Sequence, residues 1–361
     1  MSDIKRVNLG LQGGGSHGAF GWGVLDRLLA DDRIVIEAVT GASAGAMNAV
    51  VLAQGLAGGS REEARATLRA FWEGIAKATT NSLVRRTPAQ TLFGGWDLHH
   101  SPAYVWFDLL SRMASPYDLN PFNINPLRDI LNKLVDFERV RANKELKVFI
   151  SATDVESGRA KIFQTSELTA DHLMASACLP AMFQAVEIDG VPYWDGGYMG
   201  NPPLWPLFDH SASDDVIIVQ INPFRRVGAP RKAGDINDRL TEIVFNASLM
   251  RELRTVDFVT RLIDEGRMKG TGYRRVLIHM IGDETTLAPL GASSKINTEM
   301  AFLNMLFDAG TMAAERWLAA HFDDIGARST LDLRAVFQGE EDALDGARVN
   351  RREAYRDDAA K

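Results

Sequence analysis

The sequence predicts an α/β fold in three layers, with helices on both faces of a central, mostly parallel sheet. Three observations predict it. Short apolar runs rich in β-branched residues recur along the 361 residues. Between them lie stretches with apolar residues at helical spacing, the alternation that builds a parallel sheet covered on both sides. Glycine-rich turns follow the first two runs and open helices.

In chain order, residues 7–11 form the first strand and lead through Gly13-Gly14-Gly15-Ser16-His17-Gly18 into a helix over about 19–29. Residues 35–40 form the second, followed by Gly41-Ala42-Ser43-Ala44-Gly45 and a helix over 46–56. Leu68, Phe71, Trp72 and Ile75 stand at i, i+3, i+4 and i+7, one buried helix face. From about 83 to 126 the pattern breaks into Pro, Gly and aromatic residues, among them Phe93, Trp96, Tyr104, Trp106, Phe107, Tyr117 and Phe122. This stretch is expected to be an insertion or cap. Residues 147–152 are a third strand, and 186–188 with 191–194 a hairpin about Asp189-Gly190. Strands at 216–221 and 276–281, a helix over about 236–265 and a late helix through Phe302 and Trp317 complete the domain, 1–337. The end, 338–361, is dense in Asp, Glu and Arg and reads as a charged tail.

Composition removes several function classes. Net charge is −7, with 40 basic and 47 acidic residues, so a nucleic-acid partner is not expected, since neutralising phosphates needs a basic face. A single cysteine, Cys178, excludes an internal disulfide framework and a cysteine-rich zinc site. No apolar signal segment or membrane-length apolar run stands out, so the expectation is a cytoplasmic protein. Local aromatic or basic patches leave peripheral membrane contact open.

Three constellations carry chemistry. The glycines at 13–15 let the backbone aim several N–H groups into one concavity beside a helix N-terminus, a nest for a phosphate or for the oxyanion of a tetrahedral intermediate. Gly41-x-Ser43-x-Gly45 is a G-x-S-x-G between strand and helix, where small neighbours let a serine hydroxyl stand exposed. Trp194-Asp195-Gly196-Gly197 ends the hairpin with a carboxylate that the two glycines free to approach another loop. Each alone has a bland alternative as a small-residue turn.

In this order the three resemble the patatin-like phospholipase family, and the likeness extends through Ala175-Ser176-Ala177-Cys178-Leu179-Pro180-Ala181-Met182-Phe183. The resemblance implies a lipid acyl hydrolase with nucleophile Ser43, base Asp195 and oxyanion donors among the amides of Gly13, Gly14 and Gly15. His17, Gly18, Gly41, Gly45, Gly196 and Gly197 support them. It implies a phospholipase A or lysophospholipase-like serine esterase acting through an acyl-enzyme, on lipid or other acyl-ester substrates and without a cofactor. The chain departs from the family at His17, where Arg or Lys is usual. A histidine there either orders the loop or carries charge only when protonated.

Two rivals remain at this stage. A nucleotide- or phosphate-binding protein could use the same nest, but a dinucleotide fold wants an acid at the end of the second strand, and only Glu37 is near. A Ser-His-Asp esterase needs a late histidine, for which His279 is the best candidate. Cys178 is expected to be packed rather than reactive. His99-His100 reads as a solvated loop. The aromatics of the insertion either wall an acyl channel and touch lipid or form a small core of their own, and Arg85 and Arg86 are candidates to meet headgroups.

Overall fold

The computed structural model describes residues 4–80, 86, 95–98, 101–226, 228–231 and 233–338; at 107, 108, 111, 112 and 233 it describes the backbone. The strands are β1 (Lys5–Leu11), β2 (Ile34–Gly41), β3 (Lys147–Asp154), β4 (Ala160–Gln164), β5 (Val186–Ile188), β6 (Val191–Asp195), β7 (Asp215–Val219) and β8 (Leu277–Ile281). They make one sheet in the order β5-β6-β3-β2-β1-β7-β8, with β4 also paired to β3. The run from β3 to β8 is parallel throughout; β4 pairs antiparallel with one edge of β3, and β6, with β5 beyond it, pairs antiparallel with the other edge past the end of β2.

Side chains alternate across this sheet, so each central strand feeds two cores. Val148, Ile150, Ile217 and Val219 face one of them, together with α1 (Gly18–Leu29), α2 (Ala44–Ala57), α3 (Arg61–Ala78) and, late in the chain, Phe302, Leu303 and Leu306. Phe149, Val216, Ile218 and Ile278 face the other, with Leu249, Leu253 and Val256. Every residue of β7 is buried, which explains why its sequence shows an apolar run rather than alternation. The expected three-layer α/β/α architecture is the one observed.

The remaining helices used below are α4 (Pro102–Met113), α5 (Pro126–Leu134), α6 (Ala170–Ser176), α7 (Ala233–Asp264) and α8 (Met300–His321). Ser60 caps α3 by accepting the Glu63 amide at 3.0 Å, and Glu62 and Glu63 complement the dipole in its first turn. Leu68, Phe71 and Trp72 are buried as their spacing predicts. α1 and α8 cross closely: a Cβ on Gly23 would overlap the Phe307 carbonyl, and one on Gly310 the Phe20 carbonyl. Only hydrogen at these two positions allows the backbones to meet.

The strands expected from the sequence are present, with ends shifted by one or two residues. β4 was not expected, because Ala-Lys-Ile-Phe-Gln is short and half exposed. The insertion forms no core of its own among the described residues. Trp96 packs on Phe302 at 5.1 Å between ring centroids, while Trp106, Tyr117 and Phe122 are exposed. Arg86 is paired with Glu299 at 2.6 Å and stacked on Trp96, so it is not a free headgroup ligand. Arg85, Phe93, His99-His100 and the tail from 339 onward lie outside the described residues, as does the side chain of Phe107.

Candidate active site

The sheet itself brings the three constellations together. Gly41 at the end of β2 pairs with Ile150 of β3, and Ala152, two residues on, pairs with Asp195 of β6. Phe163 and Lys161 of β4 take the other edge of β3 at these two positions, so β2 and β6 follow one another along the same edge, and Ser43 leaves β2 where Asp195 ends β6. On the other side, Leu11 pairs with both Gly41 and Val219, so the nest starts beside the same turn.

Ser43 has φ 52° and ψ −122°, a backbone conformation that costs a non-glycine residue on the order of 1–3 kcal/mol and is retained where the surroundings over-determine it. The Ser43 amide donates to Ser176 Oγ at 2.9 Å, which ties the turn to the end of α6. The hydroxyl-bearing residue is 8% exposed, just open to a reactant. Gly41 and Gly45 lie backbone to backbone inside the turn, and Gly45 also presses on the Leu11 carbonyl.

Asp195 is fully buried. Its amide donates to the Cys178 carbonyl at 2.8 Å, its carbonyl accepts from Thr153 Oγ1 at 2.8 Å, and its Oδ1 accepts the Gly197 amide at 2.7 Å. Oδ2 is buried and makes no hydrogen bond among the described residues. Burial pushes the carboxyl up to about 6, against the opposing pull of the Gly197 amide, the Ser43 hydroxyl and the Lys295 ammonium. The hydroxyl thus faces the carboxylate closely enough to favour its charged form, in a contact looser than a full hydrogen bond. Hydrogen bonds of this kind commonly tighten once a reactant is in place. Gly196 lies against the Ser151 carbonyl, with no room for a side chain, and Gly197 abuts Phe245 of α7.

In the nest, Gly13 approaches the elbow so closely that a Cβ would stand 2.5 Å from the Ala42 carbonyl and 2.7 Å from Ser43 Cβ. Gly15 has φ 58°, the left-handed region that favours glycine. One expected donor is already committed: the Gly13 amide donates to Asn201 Oδ1 at 2.6 Å. The amides of Gly14 and Gly15 have no acceptor among the described residues, so the nest offers two donors rather than three.

His17 is buried, and burial, with the Lys295 and Arg226 cations adding to it, holds its pKa well below the ordinary range. It is a neutral ring bonded to Ser294 Oγ at 2.7 Å, so it orders the loop and supplies no charge. Gly18, where α1 starts, touches Ala44 of the elbow helix, and its carbonyl accepts from Asn48, which in turn accepts from Trp72 Nε1.

Both rival constellations are spoken for elsewhere. Glu37 accepts the amides of Ala212 and Ser213 at 2.7 and 3.1 Å and is not available to a ribose. His279 is fully buried in β8, bonded to Asp215 at 3.0 Å and Thr330 at 3.1 Å, three strand spacings from β2, about 14 Å. Cys178 is buried, donates to the Gln184 carbonyl at 3.1 Å, and its thiol is pushed up to about 12 by burial and the neighbouring Asp195, so it is inert as expected.

Residues 9–208 match the Patatin-like phospholipase family. The chain belongs to the patatin-like phospholipase family. Its members are lipid hydrolases acting on ester substrates. Among solved structures the chain is similar to the crystal structure of VipD from Legionella pneumophila, at 14% identity and a TM-score of 0.35 over 85% of this chain and 67% of that one. That likeness is too loose to carry any conclusion about function. No curated protein matches the chain significantly.

Several residues at this site were not singled out from the sequence: Ser176, Asn201, Asn222 and Lys295. Asn201 and Asn222 both bond Gly13, and Lys295 bonds Asn222. None was given a role from the sequence, although Ser176 stands inside the 175–183 stretch that carries the resemblance and Asn201 follows Gly197 by a few residues. Among the described residues no helix is long and apolar enough to cross a membrane.

Proposed function

We propose that this chain is a serine acyl hydrolase that cleaves a carboxylic ester of phospholipids or related lipids, with Ser43 as nucleophile and Asp195 as its base. The observation that carries this reading is the buried, unbonded Asp195 Oδ2 beside the Ser43 hydroxyl. A carboxylate oxygen left without a partner in a desolvated place is costly, and a proton taken from the serine relieves it.

In the first half-reaction the Ser43 hydroxyl attacks the ester carbonyl as Asp195 takes its proton. The amides of Gly14 and Gly15 hold the oxyanion of the tetrahedral intermediate, each donor contributing about 3 kcal/mol. Collapse returns the proton from Asp195 to the departing alcohol and leaves an acyl-Ser43. In the second, water gives a proton to Asp195 and attacks the acyl-enzyme, and the fatty acid leaves as the serine regains its proton.

The exposed stripe of α4 supports a lipid surface as the place of action. Val105, Trp106, Leu109, Leu110 and Met113 lie along one helix face and are all exposed, joined by Tyr117 and Phe122 beyond it. The same segment bonds the stretch that precedes β5: Tyr117 accepts the Ala185 amide at 3.3 Å, and Gln184 donates to the Asn120 carbonyl at 2.8 Å. An apolar face of this kind fits peripheral contact with a bilayer, next to the strands that carry Asp195.

A fluorophosphonate probe and a p-nitrophenyl ester test the assignment. Wild type is expected to label and to turn over, and Ser43→Ala to do neither. A folded Ser43→Ala protein that still hydrolyses the ester overturns it.

A further inference from the structure

The nest is held from behind by a buried ammonium that takes no part in the proton transfers above. We propose that Lys295 is a positioning residue of the acyl-transfer site: through Asn222 it turns the Gly13–Gly14 peptide so that the Gly14 N–H is free for the oxyanion, and its charge favours that oxyanion. The proposal rests on the hydrolase reading and extends it to a segment between β8 and α8, beyond the residues matched by the family.

The chain of contacts is short. Lys295 Nζ donates to Asn222 Oδ1 at 2.8 Å, its only hydrogen bond among the described residues. Asn222 Nδ2 donates to the Gly13 carbonyl at 2.7 Å, with a longer contact to Gln12 Oε1 at 3.3 Å. Asn201 clasps the same glycine from the other side, accepting its amide at 2.6 Å and donating to its carbonyl at 3.3 Å. An ammonium carries donors only, so it can meet Asn222 only at the amide oxygen. That choice leaves the NH2 for Gly13; the reversed amide would set two oxygens against each other. In a trans peptide the carbonyl and the next N–H point in opposite directions. Fixing Gly13 O toward Asn222 therefore turns the Gly14 N–H away from it.

The same segment grips the nest at a second point. A Cβ on Gly15 would overlap the Lys295 carbonyl, and Ser294, the preceding residue, accepts from His17 Nε2 while donating its own proton to Gly291 O at 2.6 Å. Positions 294–295 thus touch the nest directly at Gly15 and His17, and reach Gly14 through Asn222.

The ammonium end is buried, where a charge acts over several ångströms with little screening. The charged groups facing it are Glu242 and Asp238 of α7, Asp195, and the Arg226 cation, while His17 beside it is neutral. Burial and Arg226 lower its pKa; the three carboxylates raise it. Toward Asp195, which also faces Cys178 and Tyr198, Lys295 favours the carboxylate. Arg226 is itself engaged by Glu242 and by the carbonyls of Ala288 and Leu290, so Lys295 is the cation that reaches the nest through a hydrogen-bond chain.

The full chain carrying Lys295→Met, Lys295→Gln or Lys295→Arg tests this, with a soluble p-nitrophenyl ester and kcat/KM followed from about pH 5 to 9. Lys295→Met is expected to lose at least about tenfold in kcat with KM within about twofold, and to move the acid limb of kcat/KM upward. Lys295→Gln, which keeps a donor without charge and a similar shape, is the variant to read if Met does not fold; it moves the limb in the same direction. Lys295→Arg is expected to recover most of kcat and the wild-type limb. A neutral variant with wild-type kcat and an unmoved limb overturns the proposal. So does a loss shared equally by Arg with the limb in place, since that reports packing alone. Either failure leaves the dependence on Ser43 intact, whereas turnover that survives Ser43→Ala removes the hydrolase reading itself.

Discussion

Asp195→Asn separates the cost of a buried carboxylate from its use. Burial raises this carboxyl from its ordinary 3.8 to about 6. Between those two values the unfolded chain has lost a proton that the folded protein keeps, and above pH 6 the fold must carry a desolvated charge. At about 1.4 kcal/mol per tenfold ratio, ionisation withdraws about 3 kcal/mol from folding stability at neutral pH. Asparagine has nearly the same shape, still accepts the Gly197 amide through Oδ1, and carries no charge. The variant is therefore expected to be more stable than wild type by about 2–3 kcal/mol at about pH 8. The gain shrinks as pH falls from 6 towards 4 and is gone below about pH 3, where both states of the wild type are protonated. Ester hydrolysis is lost at every pH, while the wild type loses kcat/KM below about pH 6 as its base is protonated. Denaturant melts at about pH 4.5, 6 and 8 beside turnover measurements check both halves. A gain of equal size at the two ends of the range, or no gain at pH 8, refutes the desolvated charge.

Two further outcomes follow from packing and exposure. Gly310→Ala forces a methyl into the Phe20 carbonyl where α1 and α8 meet, and is expected to cost about 1–3 kcal/mol with a lower Tm by calorimetry; an unchanged Tm refutes the close crossing. Trp106→Asp with Phe122→Asp changes two residues that are 63% and 85% exposed, so hydrolysis of a soluble ester is expected to stay near wild type. Binding to phosphatidylcholine vesicles in a flotation assay is expected to fall severalfold; unchanged flotation refutes the lipid-facing role of the insertion.

Much of the fold was legible because its strands are covered on both sides. The stretch 216–219 is a continuous apolar signal, 7–11 keeps apolar residues at alternate positions, and the 186–194 hairpin announces itself by Asp189-Gly190. β4 escaped because an edge strand that is half exposed has no such run. Of the site, Ser43 and Asp195 stand in turns whose neighbours must be small, and that requirement leaves a mark in sequence. The nest was legible as a concavity of amides, but its division of labour was not. Whether Gly13 is a free donor depends on Asn201, which reaches it from 188 positions away. Asn222 and Lys295 have no local signature at all, since a polar residue acquires meaning there only when folding brings it to a glycine far off in the chain. The aromatic insertion offered two readings that composition cannot separate; the exposure of Trp106, Tyr117 and Phe122 leaves no separate core among the described residues and supports the lipid-facing reading as a proposal.

The near-contact of α1 with α8 through Gly23 and Gly310 has a consequence for rate as well as for packing. Both helices start at the same end, where His17 stands 6.1 Å from Phe302 ring to ring, so the Gly14 and Gly15 amides at the head of one and the stretch 294–297 at the head of the other share a single girder. On the proposed mechanism, groups mounted in this way arrive at the developing negative oxygen already aligned, and no part of the barrier goes into swinging them round.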